Sequence, residues 1–190
     1  MNKSAIYLIC VLGIVGATLL MIYGAFLPFL KAQAYIDAVG KVSSTKTLQE
    51  FEQNFDNVFN FYSPVGGQEV TKYLLSNIIQ VAQNQAENVD QALADYIEPH
   101  IIPNDTRHLV AAANLRTVLL TKFSKEADYE KAVDYYLKAR AIGPKLPPAL
   151  YGLLSLYNAK GDVTAEKEVA ETILKYWPQD TRVSDLLGKK

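Results

Sequence analysis

The feature that most constrains the fold is an uncharged run near the start of the chain, from Ala5 to Leu30. As an α-helix this run is about 39 Å long, because each residue adds about 1.5 Å. The hydrocarbon layer of a bilayer is about 30 Å thick, so the helix is long enough to cross it with some tilt. A helix also satisfies its own backbone hydrogen bonds inside lipid. The run therefore predicts a membrane-spanning helix.

Three interpretations of this run stay open. It is a single-pass anchor with the C-terminal domain on the extracytoplasmic side, or a secretory signal removed within residues 1–34, or an apolar helix buried against other copies of itself. Ala32-Gln33-Ala34 has the A-x-A pattern of a cleavage site, but the run is much longer than the ~7–15 apolar residues of a signal peptide, which favours the anchor. Self-association would use small residues that let helices approach closely. These are Gly13, Gly16, Ala17 and Gly24.

The rest of the chain is nearly neutral, which excludes a basic surface for nucleic acid. Lys3 is the one charged side chain in residues 1–30, so the remainder has 18 basic and 20 acidic side chains, a net charge of −2 (18 − 20). Nucleic-acid-binding domains instead cluster Lys and Arg on one face. The single cysteine, Cys10, forms no disulfide within the chain. We therefore expect protein and membrane partners and no nucleic acid.

The middle of the chain has the pattern of amphipathic helices. Thr47 to Glu50 matches a capping box, and apolar residues follow at steps of three and four until a break at Ser63 to Gly67. A second helix is predicted over about Gln68 to Gln85, and a shorter one from Val89 to Ile97. The residues predicted to face inward in the second helix are Val70, Tyr73, Leu74, Ile78 and Val81. No strand-like alternation of useful length occurs, so the predicted fold class is all-α.

The C-terminal half contains a repeat with a period of 34 residues. Gly143-Pro144 ends one predicted helix and Trp177-Pro178 ends another, which places the two prolines 34 residues apart. Such a period is typical of stacked helical hairpins. Asp105, within Asn104-Asp105-Thr106, is expected to start the first long helix. A short helix that covers the last hairpin is predicted from Val183, Leu186 and Leu187.

Residues 113–146 and 147–180 resemble tetratricopeptide (TPR) repeats. The matching positions of the first are Leu119, Phe123, Asp128, Tyr129, Ala132, Tyr136, Ala139 and Pro144. Those of the second are Leu153, Tyr157, Gly161, Asp162 and Pro178. The second departs from the pattern at Glu166 and Ala170, and the two repeats have Leu120 and Leu154 where the family has glycine or alanine. The resemblance implies antiparallel helices that come close at small alanines, with Tyr136 filling the gap between them.

The TPR resemblance also implies a protein-binding groove along the inner helices of the hairpins. Its residues, by position in the family pattern, are Asn114, Thr117, Thr121, Lys125, Tyr151, Ser155 and Asn158. The groove is polar and nearly neutral. It lacks the lysines and arginines with which some TPR domains hold a peptide carboxylate. The expected partner is therefore a folded protein or another copy of this chain.

The order of segments resembles the C-terminal end of bacterial O-antigen ligase-like membrane proteins that carry TPR tails. The similarity lies in the apolar helix, FLPFLKAQAYIDA, the helix before SPVGGQEV, then PNDTRHL and the repeats. In that family the catalytic part is a preceding membrane region with many spans, of which this sequence contains nothing. The resemblance therefore implies a bacterial envelope protein and does not transfer enzymatic activity.

The sequence has no pattern of catalytic or metal-binding residues. Asp105 and His108 share a helical face, but a metal site needs a third or fourth ligand, and the other histidine is His100. The phosphate-loop, HExxH, GxSxG and CxxC patterns do not occur. Asn104 begins a glycosylation sequon, which matters only if the domain is extracellular. We expect no catalytic residue, no metal and no cofactor.

These observations lead to two hypotheses of different classes. The first is a non-enzymatic interaction scaffold, anchored in the bacterial cytoplasmic membrane through residues 5–30. Its domains are then the apolar helix (1–30), a helical connector (31–103) and the TPR-like repeats with their capping helix (104–190). The alternative is a structural subunit of an extracellular filament whose apolar helices form the core, as in pilins, although no prepilin cleavage site precedes the run.

Overall fold

The structure is a computed structural model that describes residues 3–82 and 85–188, and it is all-α as predicted. Its α-helices are α1 (Lys3–Met21), α2 (Leu27–Lys41), α3 (Leu48–Asn60), α4 (Gly67–Ala82), α5 (Glu87–Ile97), α6 (Thr106–Phe123), α7 (Glu126–Ile142), α8 (Pro147–Lys160), α9 (Val163–Tyr176) and α10 (Thr181–Gly188). A π-helical turn, Ile22–Phe26, joins α1 to α2, and 3-10 turns cover Val42–Ser44 and Glu98–His100. No strand occurs in the described ranges.

The chain divides into two compact units, Met1–Val70 and Thr71–Lys190. The border falls inside α4. The first unit contains the apolar helix and α3, and the second contains α5 to α10. The division into parts that begin at residues 31 and 104 stays a prediction.

The apolar run forms a continuous helix with one wide turn. Pro28 has no N–H to donate to the carbonyl four residues earlier, and the π-helical turn Ile22–Phe26 lies just before it. The helix then continues to Lys41. Within the described ranges, the helix Lys3–Ser44 has the length and apolar composition needed to cross a membrane, and its most apolar window is 0% buried in the chain. Membrane anchors and secretory signals both have such a helix.

The start of α3 carries the predicted cap with one difference. The Thr47 hydroxyl oxygen accepts a hydrogen bond from the N–H of Glu50 at 3.2 Å. The Glu50 carboxylate accepts from the N–H of Lys46 at 2.9 Å, one residue before the position expected in a capping box. Both bonds satisfy donors at the edge of the first helical turn.

The α3 helix packs back along α2 in the first unit. The fully buried Phe55 ring lies 6.2 Å from the Tyr35 ring of α2 and 4.7 Å from the Phe51 ring. These centroid distances are typical of favourable aromatic pairs. An apolar face with period 3.6 therefore directs α3 onto the extension of the apolar helix.

The buried face of α4 differs from the prediction. The residues buried as predicted are Val70, Leu74 and Ile78. Tyr73 and Val81 are exposed, at 51% and 37%, so their predicted inward position was wrong. Leu75 and Ala82 are buried in their place. A pattern of steps of three and four is compatible with burial of the residues on either side of the central stripe, because adjacent residues on a helix differ by only about 100° in direction.

The second unit is built around two helical hairpins, α6–α7 and α8–α9, with α10 packed on α9. Ala132 and Ala139 of α7 are fully buried and Tyr136 is 3% exposed, as the TPR resemblance implies. The Tyr136 ring lies against Gly152 of α8. Val183 of α10 is buried, so the short final helix covers the last hairpin as predicted.

The two ends of α6 follow from capping chemistry. Asp105 precedes the helix, and its carboxylate accepts from the N–H of Arg107 at 2.8 Å. Hydrogen bonds from Arg107 lower the pKa of the Asp105 carboxyl to about 2. At the other end Ser124 has a left-handed backbone, with φ of 55°, and its N–H donates to the carbonyl of Leu120 at 2.8 Å.

Candidate protein-binding surface

The predicted groove residues form two stripes on helices that pack against each other. Residues 114, 117 and 121 share one face of α6, because helical positions three or four apart point the same way. Residues 151, 155 and 158 share one face of α8. The α6 and α8 helices are in contact. We call these six residues the inner-helix surface: Asn114, Thr117, Thr121, Tyr151, Ser155 and Asn158.

Lys125 lies outside the inner-helix surface. The α6 helix ends at Phe123, and Lys125 is the residue that precedes α7. Its ammonium forms an ion pair with Glu87 of α5, in which the two side chains are 45% and 47% exposed. An exposed pair of this kind is screened by water and contributes little to stability. The sequence pattern placed Lys125 in line with the stripe, but the left-handed residue at Ser124 ends the helix first.

The α6 stripe is held in place by hydrogen bonds. The Asn114 side-chain oxygen accepts a hydrogen bond from the Tyr136 hydroxyl of α7 at 2.6 Å. This bond fixes the orientation of the Asn114 side chain. The Thr117 hydroxyl donates to the carbonyl of Ala113 at 2.8 Å, and the Thr121 hydroxyl donates to that of Thr117 at 2.9 Å. Both threonine donors are used within the helix. A partner would therefore meet their oxygen lone pairs and methyl groups.

Tyr151 connects the α8 stripe to the final helix. Its hydroxyl bonds to the carboxylate of Asp180, and its ring lies 6.2 Å from the Trp177 ring. The guanidinium of Arg182 lies 5.7 Å from the centre of the Tyr151 ring. Hydrogen bonds from Tyr151 and Arg182 lower the pKa of the Asp180 carboxyl to about 2. The acid thus stays ionised and caps α10 while it orients Tyr151.

The remaining part of the α8 stripe explains a departure from the TPR pattern. Glu166 stands where the family has a small residue, yet it is only 1% exposed. The Asn158 side-chain amide donates to the Glu166 carboxylate at 2.8 Å. A buried acid requires such a partner, so the inner-helix surface supplies one from Asn158. Ser155, between the two ends of the stripe, is exposed.

A buried ionic cluster behind the stripe was not predicted from the sequence. Arg116 of α6 is 3% exposed and its guanidinium contacts residues of both neighbouring helices. It donates to Glu98 at 2.6 Å, to Asp128 of α7 at 3.1 Å and to Asp95 of α5 at 3.2 Å. Gln91 of α5 joins the cluster, accepting from Arg116 at 3.2 Å and donating to Asp128 at 2.8 Å. We call this set, with the two residues described next, the Arg116 cluster.

The rim of the Arg116 cluster is formed by Lys131 and Tyr135 of α7. The Lys131 ammonium lies 2.6 Å from the Glu98 carboxylate, and the Tyr135 hydroxyl donates to the same acid at 3.1 Å. Although burial alone would raise the pKa of the Glu98 carboxyl, the hydrogen bond from Lys131 and the charges of Arg116 and Lys131 hold that pKa below its usual value. Burial, with the Glu98 charge, raises the pKa of the Tyr135 hydroxyl.

One sequence signal could have revealed the Arg116 cluster. Arg116 is three residues after Ala113 and three before Leu119, both fully buried, so it lies on the apolar face of α6. A charged residue at such a position needs partners of opposite charge. The acids that meet it lie 18, 21 and 12 residues away in sequence, on other elements. Only the packing of the hairpin brings them together.

A lysine of α6 binds at the C-terminal end of α4. Lys122 of α6 donates to the fully buried Asp90 at 2.6 Å and to the carbonyl of Gln85 at 2.9 Å. It also donates to the carbonyl of Ala82, the last residue of α4. Cations are favourable at the C-terminal ends of helices, where carbonyl groups lack partners. Lys122 therefore joins α6 to α4 and α5 within the second unit.

The two histidines and the cysteine each have their own local surroundings. His108 is fully buried on α6, and its Nδ1 accepts from the N–H of Ile102 at 3.2 Å. His100 lies with its ring 5.8 Å from that of Tyr96. Cys10 is exposed on α1. Over residues 3–82 and 85–188, no group of three or more His, Cys, Asp or Glu could hold a metal ion.

Similarity to a known protein is limited to part of the chain. No family model matches it, and no solved structure matches it. The photosystem I assembly protein Ycf3 of Cyanophora paradoxa, a curated relative, is 34% identical to it over 68 residues. The match covers 32% of this chain and 39% of the length of that protein. The chain is therefore similar to part of an assembly protein, and its own architecture is an apolar helix followed by a helical repeat-like domain.

Proposed function

We propose that this chain is a protein-interaction scaffold of the bacterial envelope, anchored by its N-terminal helix and without catalytic activity of its own. The observation that carries the proposal is the inner-helix surface. Its two stripes lie on helices that are in contact, and Asn114 and Asn158 are held by hydrogen bonds to Tyr136 and Glu166. The partial similarity to an assembly protein supports the same class of function. The partner is a folded protein, because the stripes carry no cluster of basic residues for a peptide carboxylate.

The Arg116 cluster supports the scaffold by fixing the helices behind the surface. It ties α5, α6 and α7 together through hydrogen bonds between 2.6 and 3.2 Å. A surface that is ordered before binding loses less conformational entropy when a partner arrives. The cluster therefore acts on binding through the position of α6 and does not need to touch the partner.

The anchor is supported by the exposure of the apolar helix. Ile14 and Leu20 are 66% and 76% exposed, and no residue of α1 is buried. A continuous apolar surface of this length needs lipid or another protein to cover it. A single-pass anchor, with the hairpins on the extracytoplasmic side, satisfies that need.

The scaffold proposal predicts that a bulky charge on the inner-helix surface will prevent binding. Thr121→Arg combined with Ser155→Arg places two long cations at exposed positions of the two stripes. We expect the native complex, sized by gel electrophoresis of mild-detergent membrane extracts, to be lost, because unpaired charges at a contact cost several kcal/mol. The matched control is Thr164→Arg on the exposed start of α9, which should leave the complex intact. A complex unchanged by the double variant would rule out this surface as the binding site.

A second function, a subunit of a helical filament, is favoured by one observation. A Cβ placed on Gly13, Gly16 or Gly24 would meet nothing within 4 Å. These glycines, with Ala17, therefore leave room for another helix to approach the apolar run. In a filament, other copies of α1 would cover the surface that lipid covers in an anchor.

The two functions differ in what forms when detergent is removed. Electron microscopy of the purified chain should show discrete particles for an anchor and ordered fibres for a filament subunit. If fibres form, Gly13→Ile with Ala17→Ile should abolish them, because the added side chains keep the helices apart. Val15→Ile, about 200° around the helix from Gly13, is the matched control and should leave them intact. Fibres that persist in the Gly13/Ala17 variant would show that helices pack through another face.

A further inference from the structure

Lys31 connects the end of the apolar run to a loop of the first unit. It is the first charged residue after the run, and it is 5% exposed. Its ammonium donates to the carbonyl of Phe61 at 2.9 Å. Its Cδ lies 3.9 Å from the position that a Cβ would take on Gly66. Both contacts belong to the segment 61–66 between α3 and α4, which therefore lies beside the point where the apolar run ends.

Loop 61–66 is an ordered turn that exposes two large side chains. Tyr62 is 68% exposed and Val65 is 59% exposed. The Ser63 hydroxyl donates to the carbonyl of Val65 at 2.6 Å. Gly66 has φ of +94°, a backbone conformation that favours glycine, and it leads directly into α4. The loop backbone is thus fixed at both ends while the tyrosine and the valine face outward.

We propose that loop 61–66 rests on the same membrane that the apolar helix crosses, with Tyr62 and Val65 inserted into the interfacial layer. This inference rests on the membrane anchoring proposed above. Tyrosine is enriched at membrane interfaces because its ring is apolar and its hydroxyl is polar. Lys31 places the loop at the level of the headgroups, so the two exposed side chains extend the lipid contact of the span.

The chemistry of the loop favours a lipid surface without a required headgroup charge. No charged side chain occurs from Asn57 to Gln68. Insertion would be driven by the apolar area of Tyr62 and Val65, and not by attraction to anionic lipid. Contact should therefore be the same in zwitterionic and anionic membranes. The effect on the protein is to give the first unit a second contact with the bilayer and to limit its rotation about the span.

The packing of α3 on α2 supplies a control position for a depth measurement. Phe61, just after α3, contacts Lys31, and Phe55 within α3 contacts Tyr35, which is farther along α2 from the apolar run. In the proposed arrangement the C-terminal end of α3 is therefore near the membrane, and its N-terminal end is far from it. The α2 helix continues ten residues past Lys31, to Lys41, which is about 15 Å. Gln49 is exposed at the start of α3 and lies farther from the bilayer by about that distance.

The inference is tested by lipid quenching of a fluorophore on the full chain. In a Cys10→Ser background, single cysteines at Leu19, Gln49, Tyr62 and Val65 are labelled with an environment-sensitive dye and placed in phosphatidylcholine nanodiscs. Spin-labelled lipids carry the quencher near the headgroup or deep in the acyl chain. We expect loss of most emission at 62 and 65 with the shallow quencher, at 19 with the deep quencher, and at 49 with neither. Addition of phosphatidylserine should not change these results.

Each outcome separates the inference from the anchoring on which it rests. If the dye at 19 is quenched and the dyes at 62 and 65 are not, as expected for 49, the loop contact is wrong and the anchor remains. Absence of quenching at 19 would overturn the anchor and the loop contact with it. If emission at 62 and 65 is shielded only at high protein density and is insensitive to the lipid quencher, a second copy covers the loop and the lipid contact is wrong.

Discussion

Replacement of Arg116 by methionine is expected to lower the free energy of unfolding by about 3–5 kcal/mol, because it leaves the buried carboxylate of Asp128 without its cation. The Asp128 side chain is 2% exposed, so water cannot replace the guanidinium there. Glu98 keeps Lys131 as a partner, whereas Asp128 keeps the hydrogen bond from the Gln91 amide, which carries no charge. Urea unfolding followed by circular dichroism measures the loss, on the full chain in detergent.

The matched control for Arg116 is the other arginine of α6. Arg107 is half exposed and pairs with Asp105 two residues away, so Arg107→Met should change stability by about 0–1 kcal/mol. The acid dependence gives a second readout. The hydrogen bond from Lys131 and the charge of Arg116 lower the pKa of Glu98 in the folded state. The stabilisation that Arg116 adds through Glu98 is therefore present above the unfolded pKa, near 4.3, and is lost as pH falls through the folded pKa. The gap between wild type and Arg116→Met should therefore narrow below about pH 4. A gap that is small at pH 7, or that widens in acid, would contradict the role assigned to the cluster.

Gly152→Ala is expected to separate α7 from α8. A Cβ at this position would lie 2.2 Å from Cζ of the Tyr136 ring, far inside van der Waals contact. The ring cannot move away easily, because it is 3% exposed and its hydroxyl bonds to Asn114. Over-packing costs about 1–3 kcal/mol, and this contact belongs at the upper end. Since alanine returns up to about 1 kcal/mol of helix propensity, we expect a net loss of about 2 kcal/mol by urea unfolding.

A second substitution distinguishes a steric clash from a loss of backbone freedom. Tyr136→Leu removes the ring that the new methyl group meets. The loss of unfolding free energy in the double variant should therefore be smaller than the sum of the two single losses by at least about 1 kcal/mol. Gly40→Ala in α2 is the matched control, because a Cβ there meets nothing within 4 Å. It should leave stability unchanged or raise it slightly. Strict additivity in the double variant would show that Gly152 is not needed for the approach of α7 to α8.

Local patterns in the sequence were sufficient to predict much of the fold. The absence of charge from Ala5 to Leu30 predicted a long helix, and the structure has one. Asp105 predicted the start of α6, because a side-chain acceptor before an apolar run satisfies the first free N–H groups. The small residues Ala132 and Ala139 predicted close helix packing, and both are buried. These features depend on short-range backbone and steric rules, so they can be read from neighbouring residues.

The features that the sequence did not reveal depend on tertiary contacts. Tyr73 was predicted to face inward and is exposed, because periodicity gives the direction of a face but not its exact flanks. Lys125 was placed in line with α6, which ends earlier at the left-handed Ser124. The Arg116 cluster joins three helices, and Glu166 found its partner across a hairpin. The acids that meet Arg116 lie on other elements, 12 to 21 residues away in sequence, and only the packed structure identifies them.

If the inner-helix surface of the hairpins holds another protein, a reactive probe placed on that surface will capture it. The most direct measurement is photo-crosslinking in cells from a benzophenone side chain introduced at 121 or 155, compared with one at 164 on α9. All three positions are exposed, so labelling alone does not distinguish them. We expect a discrete crosslinked product from 121 and from 155, and none from 164. Equal products from all three positions, or a product from 164 alone, would contradict it.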